Sequence, residues 1–333
     1  MFWHGKHMPK PRTFNRVVAQ PGGKGDYLPA PDTVNRKVSR PTRDWAVYNR
    51  GLVARGGAWT FLLNMAQLDS WRTHTGKPGQ PAYSVEAINA MFMVKNMFRL
   101  TLRGAEGFMR SVFSVSNLDP DLVPTFSTLC RRRDQVTFRT PHGLAQGGAI
   151  VIDGTGVGFR TTGSWYRTKY GTKKRDYVRV TVTTDAASGI ITGVAVTPEK
   201  GKGTGEASVA LGLLTAQPHT PTACFGDGAY DTKRMYLACA RHDMALIVPP
   251  KEGAVYGLAR QRDYTISRVK RLGMVEWKKR SGYHSRSLAE TTFSVFKTLY
   301  GDETYAHTFT GAQADVCARF NLYNRIREQE LAG

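Results

Sequence analysis

The spacing of hydrophobic residues changes near residue 147 of this 333-residue chain. Before that point, apolar residues recur every three or four positions, as they do along one face of a helix. Trp59 to Leu68 carries one such stripe, and a longer stripe follows Ser84, a helix-capping residue type with Glu86 in the predicted first turn. Beyond residue 147, short apolar runs alternate with turn residues. The pattern therefore indicates a helical region followed by an α/β region.

Two predicted helices of the first region lie close together in sequence, as they do in a helix-turn-helix. Gly104 to Val115 carries an apolar stripe, and Thr125 to Val136 follows after a turn. The second helix is rich in arginine, so we expect Arg131, Arg132 and Arg133 to face DNA. The helix dipole also favours arginine at a carboxyl end with no ligand present, so the pattern leaves both interpretations open.

The second region predicts a mixed α/β sheet with helices packed on it. Its elements are the strands Gly148–Asp153, Tyr177–Thr184 and Ile190–Val196, a helix Glu206–Ala216, a strand Ala223–Gly226, a helix starting near Tyr230, and a strand Ala245–Val248. The second and third strands flank a turn from Asp185 to Gly189, which predicts a hairpin. We expect a last helix after Gly311 to pack against this sheet.

Four polar residues between Tyr283 and Lys297 lie at offsets of 0, 3, 7 and 14 residues. On one α-helix, these offsets place Tyr283, Arg286, Glu290 and Lys297 within an arc of roughly 60°. Apolar residues take the other faces, so the segment predicts a buried helix with one charged stripe. A buried acid beside cations is costly unless a site uses it. The alternative is an amphipathic helix whose stripe faces water.

Two further acids, Asp153 and Asp227, each follow a predicted strand. The carboxyl end of a strand lies at the rim of an α/β sheet, where ligands bind. Three carboxylates brought together at such a rim repel one another unless a hard cation bridges them. Mg²⁺ prefers carboxylate oxygens together with substrate phosphate. The sequence therefore predicts a metal site at Asp153, Asp227 and Glu290 that is suited to phosphoryl transfer.

The three acids resemble the DDE triad of transposases encoded by bacterial insertion sequences. The third acid lies within Tyr-x2-Arg-x3-Glu-x6-Lys, and the run GDGAYD around Asp227 is also similar to this group. The stretch from Asn49 to Gly56 resembles the insertion-sequence-five group of the insertion-sequence-four/five superfamily. The resemblance covers residues 44–328. It departs at Gly154, where serine is more usual, and this change leaves the acid itself intact.

The resemblance implies an RNase H-like catalytic domain over residues 147–333, preceded by a helical, helix-turn-helix-type DNA-binding domain at 44–146. It implies an enzyme that binds terminal inverted repeats, cleaves there, and joins the ends to target DNA. Asp153, Asp227 and Glu290 are then the catalytic metal ligands for Mg²⁺, with Mn²⁺ as a possible substitute. Tyr283, Arg286 and Lys297 are expected to hold phosphates beside the scissile bond. The alternatives are a nuclease without strand transfer and an inactive DNA-binding regulator.

Charge supports a nucleic-acid partner. The chain has 47 Lys and Arg against 26 Asp and Glu, a net charge of +21, which indicates a polyanionic ligand.

No apolar run approaches a membrane span and no signal peptide is apparent, so we expect a cytoplasmic protein that does not bind a membrane. Four scattered cysteines predict neither a disulfide framework nor a zinc site. Coordinated joining of two ends predicts a homodimer on DNA.

Two basic segments have no clear hydrophobic pattern. Residues 1–43 contain nine Lys and Arg against two Asp, a net charge of +7, and predict an extended basic arm along the DNA backbone. Residues 251–282 predict a mobile basic loop over the DNA. For both segments, the alternative is a solvated stretch of chain with no ligand.

Overall fold

The structure is a computed structural model that describes residues 45–54, 71–73, 82–141, 148–159, 177–199, 201, 204–217 and 220–332. The predictions for residues 1–43 and for the stripe from Trp59 to Leu68 lie outside these ranges.

Helices dominate the described residues before 140 and after 258. The α-helices are α1 (Trp45–Ala54), α2 (Val85–Met97), α3 (Leu102–Val115), α4 (Phe126–Arg131), α5 (Glu206–Thr215), α6 (Lys233–Arg241), α7 (Arg260–Leu272), α8 (Met274–Arg280), α9 (Ser287–Tyr300) and α10 (Phe309–Ala332). Short 3-10 helices occupy Pro120–Leu122, Arg133–Gln135, Gly228–Tyr230 and Tyr283–Arg286. Ser84 caps α2 as predicted, because its hydroxyl accepts a hydrogen bond from the Ala87 amide at 3.1 Å.

The strands form a two-stranded sheet and a six-stranded sheet. They are β1 (Arg72–Thr73), β2 (Ala82–Tyr83), β3 (Ala149–Phe159), β4 (Tyr177–Asp185), β5 (Ile191–Pro198), β6 (Ala223–Phe225), β7 (Ala245–Ile247) and β8 (Glu303–Thr304). The larger sheet has the order β5-β4-β3-β6-β7, and β8 pairs with the far end of β3. The hairpin strands β3, β4 and β5 are antiparallel, whereas β6 and β7 run parallel to β3. This confirms the predicted mixed, RNase H-like sheet.

Alternation along β3 divides its side chains between two layers of helices. Ile150 and Ile152 lie in a buried cluster with residues of α5 and α6. Val151 lies in a cluster on the other face, together with Trp277 of α8 and Ala289 of α9. Because side chains alternate with a period of two along a strand, Asp153 shares the face of Val151. The central strand therefore presents its acid on the α9 side of the sheet.

One buried cluster joins the helices before residue 140 to the sheet and to the carboxyl-terminal helix. It includes Ile88 of α2, Phe113 of α3, Val180 of β4 and Phe320 of α10. The rings of Phe296 and Phe320 stack with centroids 4.3 Å apart, which attaches α9 to α10. The early helices and the sheet thus share a core. The division into domains at residue 146 stays a prediction.

Residues 251–282 differ from the predicted loop. They contain α7 and α8, and the side chain of Trp277 is buried among residues of the sheet cluster. Arg262 is also buried, and it forms an ion pair with Asp231 at 2.7 Å. The loop interpretation was wrong because tertiary contacts that the sequence does not reveal stabilise these basic helices.

No helix among the described residues has both the length and the apolar character needed to cross a membrane.

Candidate active site

Asp153 and Asp227 occupy equivalent positions on neighbouring parallel strands. Val151 of β3 lies opposite Phe225 of β6 in the pairing register, and each acid follows two residues later. Parallel strands end at the same edge of a sheet, and adjacent strands are about 4.8 Å apart. The register therefore brings these two acids side by side. Only Asp227 follows the end of its strand. The prediction that a strand ends at Asp153 was wrong, because pairing with β4 continues β3 to Phe159.

The run GDGAYD after β6 packs tightly around Asp227. The Asp227 carboxylate caps the following 3-10 helix by accepting a hydrogen bond from the Ala229 amide at 2.8 Å. A Cβ atom at Gly226 would lie 2.7 Å from Cδ2 of Tyr230, so only glycine fits beside this buried ring. Gly226 thus allows the turn that carries Asp227 to pack directly on the tyrosine.

Glu290 lies on α9, close to where this helix begins at Ser287. Its neighbour Ala289 is fully buried against the sheet, while the Glu290 side chain is 59% exposed. The prediction of one continuous helix from Tyr283 was wrong, since residues 283–286 form a 3-10 helix that follows Gly282 in the left-handed conformation. Glu290 therefore stands over the rim with room to change its rotamer.

Arg286 connects two of the three predicted acids. Its Nη1 lies 3.4 Å from Oδ2 of Asp153, and its Nη2 donates a hydrogen bond to Oε1 of Glu290. Asp153 also accepts a hydrogen bond from the Gly154 amide at 2.9 Å. Among the described residues, no three acidic, histidine or cysteine side chains converge as a ready-made metal site. A guanidinium, rather than a shared coordination point, links Asp153 to Glu290 in this structure.

The pKa of the Asp153 carboxyl is raised above 3.8. Burial is the main cause, whereas the Gly154 amide and the Arg286 cation lower it. The charges of Asp227 and Glu290 raise the pKa further. The three carboxylates thus lie within each other's electrostatic field, although they do not meet at one point.

Tyr283 lies within the electrostatic field of the three acids. Burial raises the pKa of its phenol, and the Arg286 cation works in the opposite direction. The charges of all three acids add to the upward shift. Its ring packs on Trp277 with centroids 5.8 Å apart, and the Lys278 ammonium lies 5.5 Å from the ring centre. Packing on α8 therefore positions Tyr283 beside the acids.

The other predicted DNA contacts lie at different distances from this rim. Lys297 is exposed on α9, two turns beyond Glu290. Arg131 is exposed at the end of α4, where the predicted helix to Val136 instead gives way to a 3-10 turn. Arg133 donates to the Thr308 hydroxyl at 3.5 Å.

Arg132 makes structural contacts that its sequence position did not indicate. Its Nε donates to Oε1 of Gln135 at 2.8 Å, and its Nη1 donates to the backbone carbonyl of Tyr83. These bonds tie the end of α4 to strand β2. The arginine run therefore contains one residue held within the fold.

Sequence reasoning did not single out two residues near the acids. The Tyr230 side chain is buried, and burial raises the pKa of its phenol, as do the charges of Asp153 and Asp227. Glu206, at the start of α5, adds to this shift. Tyr230 could have been found from its place in GDGAYD, since a large ring two residues after a glycine-rich turn indicates close packing. No comparable feature of the sequence around Glu206 would have indicated that residue.

The carboxylate oxygens at this rim suit a hard divalent metal ion. Asp153, Asp227 and Glu290 offer carboxylate oxygens, which Mg²⁺ and Mn²⁺ prefer over nitrogen or sulfur ligands. Burial raises the pKa of Asp153, and the charges of Asp227 and Glu290 raise it further, so the charged form lacks full compensation. A divalent cation would supply that compensation.

Neighbouring carboxylates can hold divalent metal ions, which serve phosphoryl transfer in nucleases and polymerases. The chain matches the family described as Transposase DDE domain over residues 145–325, more than half of its length. A second family of the same description matches residues 53–162. The chain therefore belongs to the DDE transposases, enzymes that act on DNA with divalent metal ions.

One solved structure also aligns with part of the chain. It is the cryo-EM structure of the simian T-cell lymphotropic virus intasome in complex with PP2A regulatory subunit B56 gamma. The alignment covers 56% of this chain and 67% of that chain, with 14% identity and a TM-score of 0.24. At this TM-score, the similarity carries no inference about activity.

Proposed function

We propose that this transposase binds the terminal inverted repeats of its own insertion sequence, cleaves the DNA there, and joins the freed 3′ hydroxyls to target DNA. The observation that carries the proposal is the placement of Asp153 beside Asp227 by the β3–β6 register, with Arg286 connecting Asp153 to Glu290. Membership of the DDE transposase family supports the same reaction class. The net charge of +21 supports double-stranded DNA as the substrate.

In this proposal, the three acids hold the metal and the neighbouring cations hold the DNA. Asp153 and Asp227 are the inner ligands, because strand β3 and the turn directly after β6 fix their backbones. Glu290 completes the set by turning from Arg286 toward the rim. Bound Mg²⁺, for which Mn²⁺ could substitute, would activate the attacking water or 3′ hydroxyl and stabilise the leaving oxygen.

Arg286, once released from the acids, would bind a phosphate beside the scissile bond. Arginine suits this role because its guanidinium donates two parallel hydrogen bonds to phosphate oxygens. Tyr283 and Lys297 would position the same strand, and Arg131, Arg132 and Arg133 would contact the backbone further away. Arg132 would have to do so while bonded to Gln135, so we assign it the weakest DNA contact of the three.

The test is a cleavage and strand-transfer assay with repeat DNA and Mg²⁺. Asp153→Asn, Asp227→Asn and Glu290→Gln should each reduce cleavage by at least about 10³-fold, because each removes a metal ligand. Repeat binding, measured separately, should persist. Glu276→Gln is the matched control, since Glu276 is exposed and paired with Arg280. Near-normal cleavage in any of the three variants would contradict the assignment of that residue.

The same assay distinguishes the reaction from simple cutting. A transposase should join DNA ends that carry 3′ hydroxyls, whereas a nuclease should release cut ends only.

We also propose that two copies assemble on two element ends, because coordinated joining of paired ends calls for a two-fold arrangement. Mass measurement of the complex should give two protomers with two ends. A one-to-one complex that joins both ends would overturn the dimer proposal.

A further inference from the structure

A cavity lies away from the three acids. It has a volume of about 490 Å³ and lies between the α2–α3 connection, α4, and the segment from β8 to α10. None of Asp153, Asp227 and Glu290 lines it. We call this cavity the aromatic groove.

The floor of the aromatic groove is apolar. Phe92, which is buried in the main cluster, lines it together with Leu100, Leu102 and Ala306. Two aromatic side chains stand at its edge and remain partly accessible, Phe126 at 37% exposure and Tyr305 at 50%. Exposed rings above an apolar floor present a surface suited to a flat aromatic ligand.

The edge of the groove is strongly positive. Arg99, Arg103 and Arg133 line it, and the guanidinium of Arg103 lies 4.4 Å from the ring centre of Phe126. The single acid among its lining residues is Asp315. That carboxylate is already balanced, since it accepts hydrogen bonds from Lys95 at 2.6 Å and from the Thr304 hydroxyl at 2.7 Å.

These features together select one class of occupant. A phosphate alone would gain nothing from the apolar floor, and an apolar peptide would gain nothing from three arginines. The basic segment 1–43 of the same chain, with a net charge of +7, would be repelled. A nucleotide satisfies both halves of the groove, because its base is flat and apolar on both faces while its phosphate is anionic.

We propose that the aromatic groove holds an unpaired nucleobase of bound DNA, stacked against Tyr305 and Phe126, with the flanking phosphates on Arg99, Arg103 and Arg133. The proposal rests on DNA being the ligand, but not on the catalytic assignment of the three acids. It predicts that the protein distinguishes DNA with bases from an equally charged backbone without them.

Cys130 offers a local probe, because it lines the groove and is exposed. The other three cysteines, Cys224, Cys239 and Cys317, are buried. Alkylation of the full-length protein by iodoacetamide should therefore modify Cys130 first, and mass spectrometry of its peptide reports occupancy of the groove. The ligands are a single-stranded oligothymidine and an abasic oligonucleotide with the same number of phosphates.

Oligothymidine should protect Cys130 at a concentration at least about fivefold lower than the abasic strand, as expected from base stacking on aromatic residues. Tyr305→Ala should abolish this difference, and Tyr305→Phe, which keeps the ring, should retain it. Arg103→Gln should weaken protection by both strands. Circular dichroism and the thermal midpoint check that each variant is folded.

Equal protection by the two strands would show a phosphate-binding surface without a base site and would overturn the proposal. Absence of protection by either strand would overturn it as well. If Tyr305→Ala does not fold, the comparison of the two strands on the unmodified protein still decides. Near-normal DNA cleavage in the triad variants, which would contradict the assignment of the three acids, would leave this result unaffected, so the two proposals are tested separately.

Discussion

The Arg286 guanidinium lies 3.4 Å from Oδ2 of Asp153 and also donates a hydrogen bond to Glu290. It therefore occupies the space between two acids that the proposed reaction requires for metal binding. The side chain of Arg286 is 23% exposed, so solvent reaches part of it. A phosphate that attracts Arg286 would release both acids at once, which would couple DNA binding to metal binding.

Removing the Arg286 charge should strengthen metal binding in the absence of DNA. For Arg286→Gln, we expect Mn²⁺ to bind about tenfold more tightly, or about 1.4 kcal/mol, because a nearby cation no longer competes for the acids. Calorimetric titration of the DNA-free protein measures this. Arg286→Lys keeps the charge and should lie close to the unmodified protein. Unchanged Mn²⁺ affinity in Arg286→Gln would show that the arginine does not compete with the metal.

Asp153→Asn should stabilise the protein at neutral pH. Burial raises the pKa of Asp153 in the folded state above 3.8, so the folded protein binds this proton more tightly than the unfolded chain. The stability contributed by this group consequently falls as the pH rises through the raised pKa. The variant should have the larger free energy of unfolding at pH 7, and the difference should close as the pH approaches 3.8.

Urea unfolding of the unmodified protein and of Asp153→Asn, from neutral pH down to the ordinary pKa of an aspartate, measures the difference between their free energies of unfolding. The contributions of titrating groups that do not interact with Asp153 cancel in the comparison of the two proteins. A variant that is less stable at pH 7, or a difference that does not change with pH, would contradict the assigned direction of the shift.

Gly226→Ala should perturb the turn that carries Asp227. The added methyl would lie 2.7 Å from Tyr230 and 3.1 Å from Cγ2 of Ile152, both of them buried. We expect a loss of about 1–3 kcal/mol in the free energy of unfolding, as for other overpacked cores, together with reduced cleavage. Thermal unfolding and the cleavage assay measure these effects.

Gly212→Ala is the matched control for this substitution. Gly212 lies within α5, and no atom lies within 4 Å of its added Cβ. It should raise stability by about 0.5–1 kcal/mol, because alanine restricts the unfolded chain and favours the helix. Equal destabilisation by both substitutions would mean that the fit around Tyr230 is not what makes Gly226 necessary.

Arg262→Met should strongly destabilise the connection after β7. Arg262 forms two hydrogen bonds to the buried carboxylate of Asp231, at 2.7 and 3.0 Å. Removal of one member of a buried pair leaves an uncompensated charge, which costs about 3–5 kcal/mol. Chemical denaturation followed by fluorescence measures the loss.

Arg280→Met serves as the control for the Arg262 substitution. Arg280 also pairs with an acid at 2.8 Å, but that pair with Glu276 is partly exposed on one helix face. The loss should be much smaller than for Arg262→Met, because solvent screens the pair. Similar losses for the two variants would show that burial of the Asp231 pair does not determine its strength.

Local patterns in the sequence were enough to predict most elements of the sheet. The alternation from Tyr177 to Thr184 and the turn before Ile190 predicted the hairpin of β4 and β5, and the structure confirms it. Local interactions shape this turn, since Gly189 takes a positive φ of 73° and Asp185 accepts a hydrogen bond from the Ser188 amide. Such interactions lie within a few residues, so the sequence could indicate the turn, although Arg327 of α10 also donates to the Ser188 carbonyl.

Residues 251–282 show where local reasoning failed. The helices α7 and α8 are rich in charged residues, and they depend on contacts with distant parts of the chain. Arg262 pairs with Asp231 before α6, and Trp277 packs in a cluster with Phe225 of β6. The same packing of Trp277 holds Tyr283 in a 3-10 turn instead of the predicted α-helix.

The three candidate acids could be named from the sequence because the apolar run before Asp153, the run GDGAYD around Asp227 and the spacing around Glu290 are local features. Their mutual arrangement could not. The register between β3 and β6 sets Asp153 beside Asp227, and the packing of Ala289 on the sheet sets Glu290 above them. The contact of Arg286 with two acids follows from those long-range contacts. The sequence thus determined which residues we propose for the site, and tertiary packing decided that Arg286 lies between two of them.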